Sequence, residues 1–301
     1  MSKPKNNNMT TISVALTLCL VCSVLVSAVA VGLKPAQIEN ARLDRNKNIL
    51  IAAGMYDDQK DTAADVAERF KDFEVEIVDL NAGNYLTDDQ LKAVGIADRN
   101  TYDASQASKN KALSDDLGSN DPASIGRKPK YAKVYVKNDA AGKPEMVVLP
   151  IQGYGLWGTI YGFLTLESDM NTIKGISFYE HKETPGLGAR IEEPKWRALW
   201  TGIHSYDDNG EVATGVTKAG NPKDNWVDGI SGATLTSRGV SNMIQFWLGD
   251  QGYKPYLDQV RKENGQTINN DKTQASQSKT TVTPPITDLA AKRPVATGKE
   301  A

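Results

Sequence analysis

The sequence predicts an α+β protein, with a single N-terminal transmembrane helix followed by a soluble domain of central antiparallel sheet and flanking helices. Three observations predict it. Residues 12–33 are almost wholly apolar or small, and no charge occurs from Asn6 to Leu33. Strand signals crowd between 132 and 179, separated by short turns. An apolar stripe at helical spacing then runs through Val240, Met243, Ile244, Trp247 and Leu248.

The apolar run comes first. At about 1.5 Å per residue it reaches roughly 33 Å, enough for a hydrocarbon core of about 30 Å. Lys3, Lys5 and the Ala28-Val29-Ala30 segment imitate a cleaved signal peptide, but the run exceeds the usual 7–15 apolar residues of one. It therefore reads as an uncleaved anchor. Cys19 and Cys22 fall inside it and read as small apolar side chains in lipid. Two basic residues, Lys3 and Lys5, precede the run; Lys34, Arg42, Arg45 and Lys47 follow it closely. Basic residues alone thus place the domain on the cytoplasmic side.

Residues 48–54 form a short apolar run ending in glycine, a strand or a helix end. Ala63, Val66, Ala67 and Phe70 have amphipathic-helix spacing over 61–70, with Asp61 as the cap. Alternating apolar and acidic residues over 73–80 predict a half-buried strand. No glycine fingerprint accompanies this strand–helix–strand order, which rejects a dinucleotide fold. Residues 98–130 are polar and read as a surface excursion with one weak helix. Strands follow over 132–136, 146–151, 158–166 and 173–179, with turns at Gly142/Pro144 and 168–171. Residues 264–301 contain no aromatic and read as a disordered tail. The chain thus divides into a stub (1–11), the membrane helix (12–33), an N-terminal part of the soluble domain (34–130), a core (131–263) and the tail (264–301).

Composition removes several functions. A formal net charge of −2 gives no basic field for nucleic acid. With only His181 and His204, a multi-histidine metal centre is not expected, and two cysteines three residues apart make no disulfide framework. No metal site and no bond-making catalytic residue is assigned.

The most informative stretch is Asp228-Gly229-Ile230-Ser231-Gly232-Ala233-Thr234-Leu235-Thr236-Ser237. It joins a glycine-rich bend to a helix start, with Thr236 or Ser237 as N-cap. Such a helix N-terminus suits a phosphate, through unpaired N–H groups and the macrodipole; an ordinary capped helix is the other reading. The Asp-Gly-x-Ser-Gly-Ala-Thr pattern resembles the flavinylation motif of the FMN-binding domains in Na+-translocating NADH:quinone reductase and Rnf complexes. The loop His181-Lys182-Glu183-Thr184-Pro185-Gly186-Leu187-Gly188 resembles the family's flavin-facing HxETPGLG loop, and Gly153-Tyr154-Gly155-Leu156-Trp157-Gly158 resembles its pocket-wall turn. Taken singly, Trp157 reads as a core aromatic and His181 as an ordinary loop residue.

The resemblance covers the chain from the anchor to about residue 263 and lies nearest the FMN-bearing C-subunit of the sodium pump, through the single anchor and the segments at 48–54 and 78–85. It implies covalent FMN, esterified through its phosphate to Thr234. Ser231, Gly232 and Ala233 lie against the phosphate; Thr184, Leu187, Gly188 and Trp157 meet the flavin; Asp228 and Gly229 complete the motif read by a flavin transferase. Lys218 is a candidate cation for the pyrimidine end of the ring, with a solvated surface lysine as its other reading. The resemblance further implies an electron-carrier subunit in a six-subunit complex of the bacterial inner membrane, coupling NADH oxidation by ubiquinone to Na+ export. The transferase acts outside the cytoplasm, so the domain is expected to be periplasmic, against the basic-residue count. Three other readings stay open: the Rnf-type G-subunit, a membrane-anchored flavin-binding regulator, and a structural envelope protein in which 231–234 is only a turn.

Overall fold

The computed structural model describes residues 8–265. One helix, α1 (Asn8–Ala52), contains the whole apolar run and is long and apolar enough to cross a membrane. Its membrane-length window is not buried against protein, as a helix apolar on every side requires if lipid is its solvent. Cys19 and Cys22 are free and exposed on it. The 48–54 run proves to be the end of this helix, where Ile49, Leu50 and Ala52 are buried. Residues 1–7 of the stub and 266–301 of the tail lie outside the described residues.

The next helix, α2 (Ala63–Arg69), corrects one expectation. Its cap is Thr62, in a reciprocal capping box with Asp65, whereas Asp61 instead pairs with Arg69 at 2.6 Å. Strand β1 (Glu74–Asp79) follows, and the polar excursion is more structured than its composition suggests. Around it lie α3 (Asp88–Ala93), α4 (Ala104–Lys109) and an antiparallel pair, β2 (Ser114–Asp116) with β3 (Arg127–Pro129). Three-residue strands are too short for alternation to show in the sequence.

Strands β4 (Tyr131–Asn138), β5 (Pro144–Tyr154), β6 (Thr159–Glu167) and β7 (Ile173–Glu180) fall where the sequence places them. With β1 they form one antiparallel sheet in the order β1-β4-β5-β6-β7. One face carries Val134, Val136, Val147, Leu149, Leu164 and Ile176 into the main core, against α6 (Thr234–Leu248) and α7 (Lys254–Glu263). The short helix α5 (Pro194–Arg197) lies between the sheet and α6 in sequence. The other face of the sheet packs Tyr135, Val148 and Phe163 against the end of α1. Gly175 admits that helix end: a Cβ there would lie 2.6 Å from the Ala52 carbonyl oxygen.

The direction of α1 positions the site. Ala52 lies against Gly175, the Ser177 hydroxyl donates to the Asn48 carbonyl at 2.8 Å, and Arg45 lines a groove with Tyr179 and Glu180. The helix therefore runs antiparallel to β7 and leaves the sheet at the end where β7 stops and the β5–β6 turn lies. The twelve residues from Arg45 back to Leu33 span about 18 Å of helix.

Candidate functional site

Three segments meet at that end of the sheet. The β5–β6 turn presents Tyr154, Leu156 and Trp157 to solvent; the loop after β7 presents Thr184 and Leu187; the start of α6 presents Thr234 and Leu235. Trp157 is 61% exposed, so the core reading of this aromatic fails and it stands on the rim. An exposed apolar rim over a well-packed base is the form of a cofactor or docking site.

Helix α6 starts three or four residues earlier than the hydroxyl pattern predicts. Thr234 is its first residue, and the N-cap is Ala233, which has no capping side chain. The two expected caps are used elsewhere. Ser237 Oγ accepts the Ile230 N–H at 3.0 Å, and the Thr236 hydroxyl donates to the Glu183 carboxylate. The first N–H groups of a helix have no partner within it, so this uncapped end offers donors and a positive dipole end beside the Thr234 hydroxyl. Gly232 holds φ +81°, a left-handed conformation that glycine adopts without cost. A Cβ at Gly232 would sit 3.3 Å from Leu187 Cδ2, so turn and loop touch at this point.

Close approach elsewhere also relies on missing side chains. A Cβ at Gly153 would lie 2.7 Å from Met243 Cβ, and one at Gly239 would lie 2.4 Å from the Tyr154 carbonyl oxygen. Asp228 shapes the neighbouring turn: its carboxylate accepts the Gly220 N–H at 2.9 Å and its carbonyl accepts the Trp196 indole N–H at 3.0 Å. Gly229 passes the Thr217 carbonyl so closely that a Cβ would fall 2.3 Å from it. A groove of about 220 Å³ beside α6 is lined by Thr217, Lys218, Thr234 and Arg238. Lys218 and Thr234 are thus brought together, as are Ser231, Gly232 and Ala233 in the turn.

The residue that sequence reasoning misses is Glu183. It is 5% exposed beneath the rim. One carboxylate oxygen accepts the N–H groups of Leu156 (2.9 Å) and Trp157 (3.1 Å), and the other accepts the Thr236 hydroxyl. An acid in a glycine-rich loop ordinarily reads as solvated; the two glycine motifs are the only signal that a buried acceptor lies between them. His181 orients the same loop, its Nδ1 accepting the Glu183 N–H at 3.1 Å while Nε2 lies 2.8 Å from Glu192.

The FMN-binding domain family matches residues 155–249, which take in most of the β5–β6 turn, the 181–188 loop and all of α6. Fold and site thus define an FMN-binding domain on a membrane-length helix. Relatives along the chain narrow this further. The C-subunit of the Na+-translocating NADH-quinone reductase of Pseudomonas aeruginosa is 43% identical over 261 residues, 84% of this chain and 95% of that protein. Its Yersinia pestis counterpart is 40% identical over 266 residues, covering 86% and 96%. The crystal structure of Shewanella oneidensis NqrC aligns with a TM-score of 0.65 at 32% identity, over 74% of this chain and 99% of that one. The chain belongs to the C-subunit family of the Na+-translocating NADH-quinone reductases, as its three motifs suggest.

Proposed function

We propose that the chain is an electron-carrier subunit of a Na+-translocating NADH:quinone reductase, relaying electrons through FMN esterified to Thr234. The observation that carries this reading is the Thr234 hydroxyl, exposed at the uncapped N-terminus of α6 beside a left-handed glycine. The residues fit a phosphate there. Donors of the helix end face it, Gly232 and Ala233 keep the backbone close, Ser231 adds a hydroxyl, and Lys218 and Arg238 line the adjoining groove. Lying beside Thr234, Lys218 serves the phosphate end of the cofactor in this arrangement.

Bound FMN supplies reversible electron transfer, and the chain's residues hold and orient it. Trp157 and Leu187 offer apolar contact to the ring, Thr184 offers a hydroxyl and Gly188 leaves room for close backbone approach. Asp228 and Gly229 fix the turn that a flavin transferase must read. The partners are the other members of a six-subunit complex that moves electrons from NADH to ubiquinone and exports Na+.

The anchor direction favours work close to the bilayer, because α1 leaves the domain at the end that carries Thr234. A transferase acting on the outer face of the inner membrane requires a periplasmic domain, and the excess of two basic residues after the helix is too small to oppose this. Alkaline phosphatase fused after residue 263 should be active; an inactive fusion overturns the periplasmic placement. Intact-mass analysis after co-expression with a flavin transferase should show one FMN-sized addition, absent in Thr234→Ala.

A further inference from the structure

We infer that Glu183 is a positioning residue of the flavin site and supplies a fixed buried charge that keeps the flavin's reduction potential low. The inference rests on the proposal that FMN is held at Thr234.

Five positions from the three site segments converge on this one carboxylate. Leu156 and Trp157 donate backbone N–H groups to one oxygen, and Thr236 donates its hydroxyl to the other. Gly155 and Gly188 have no side chain where the carboxylate sits: a Cβ at Gly155 would lie 2.4 Å from Oε1, and one at Gly188 would lie 2.7 Å from Oε2. The loop's own acid therefore ties the Trp157 turn to the first turn of α6 and sets the spacing between ring wall and phosphate anchor. Trp157 and Leu156 are exposed, so their positions depend on this backbone clamp rather than on side-chain burial.

The donors that meet Glu183 are neutral. Among the described residues no lysine, arginine or histidine nitrogen lies within 4 Å of its carboxylate oxygens. Three neutral hydrogen bonds stabilise the charge without cancelling its field, and burial weakens solvent screening of that field. The adjacent loop residues Thr184 and Leu187 are those assigned to the ring. A negative charge beneath the residues that would carry the ring would disfavour added electron density on it, so reduction would be harder than over a neutral residue.

Glu183→Gln separates the charge from the clamp. The amide oxygen can still accept both N–H groups, and the amide NH2 can donate to a reoriented Thr236 hydroxyl. The full chain, co-expressed with a flavin transferase and purified in detergent, should keep its FMN-sized mass addition. A redox titration of its bound flavin should show the one-electron equilibrium shifted about tenfold toward reduction, a rise of about 59 mV. Glu183→Asp, which keeps the charge, should shift it less. Thr236→Val, which removes a donor but leaves the charge, should not raise the potential, and a rise there still overturns the inference if the glutamine variant does not fold. An unchanged potential in Glu183→Gln with normal FMN attachment, or a rise in Thr236→Val, overturns the inference while leaving the flavin reading intact. Wild-type protein without added mass overturns both.

Discussion

The two faces of the central sheet are built to different standards. The face toward α6 and α7 is closed and apolar, with Val134, Val147, Leu149, Leu164 and Ile176 buried. The face toward α1 buries Tyr135, Val148 and Phe163, but beside Arg45 of that helix it carries a groove lined by Lys133, Tyr135, Tyr161 and Tyr179, and it buries a lysine. The difference follows from what each face must hold. The first fixes the N-terminus of α6 relative to two loops, so a small shift there separates Thr234 from the rim. The second only seats the end of the anchor, and it tolerates a polar group at its margin.

The largest effect is expected from overpacking the closed face at Gly239. Alanine there places a Cβ 2.4 Å from the Tyr154 carbonyl oxygen and 3.0 Å from Gly155 Cα, both backbone atoms. Overpacking costs about 1–3 kcal/mol, against a gain of about 1 kcal/mol in helix propensity. Gly239→Ala should therefore lower the melting temperature and reduce FMN attachment together. Normal attachment in a destabilised protein would show that the closed face does not set the site.

The open face should leave the site untouched and respond instead with a pH signature. Burial, aided by repulsion from Arg45 and opposed by Asp103 and Asp98, lowers the Lys133 pKa to about 8. Below pH 8 the folded and unfolded states both hold the proton, and the folded state carries the full burial penalty. Between pH 8 and the unfolded value near 10.5, the folded state releases the proton first, so stability rises with pH. The whole rise is on the order of 3 kcal/mol at most. Above pH 10 the half-buried Tyr179 works in the opposite sense, because burial raises its folded pKa. Melting curves of Lys133→Met from pH 7 to 10 should lose the rise and leave FMN attachment unchanged; a persisting rise would place its origin in another group.

Legibility in the sequence follows the same division. The closed face is readable because its strands alternate and the stripe of α6 repeats at helical spacing. The glycine motifs are readable because a left-handed turn or close approach demands glycine at Gly232, Gly155 and Gly188. The start of α6 is misread because Thr236 and Ser237 look like caps, whereas tertiary partners claim their hydroxyls. Glu183 escapes notice because its donors come from a segment 26–27 residues away and from a helix 53 residues away. The continuity of α1 past Leu33 is hidden by the charges at 34–47, which read as the end of an anchor but sit on a largely exposed helix.

Locating the flavin in the chain is the measurement that bears hardest on Thr234. Trypsin, cutting after Lys223 and Arg238, releases a peptide of residues 224–238 that holds Ser231, Thr234, Thr236 and Ser237 together. Fragment-ion mass spectrometry of protein co-expressed with a flavin transferase should place a single FMN-sized addition on Thr234. The Thr234→Ala peptide should carry none. An addition on another hydroxyl, one that survives Thr234→Ala, or a bare peptide from the wild-type chain would rule out Thr234 as the attachment site.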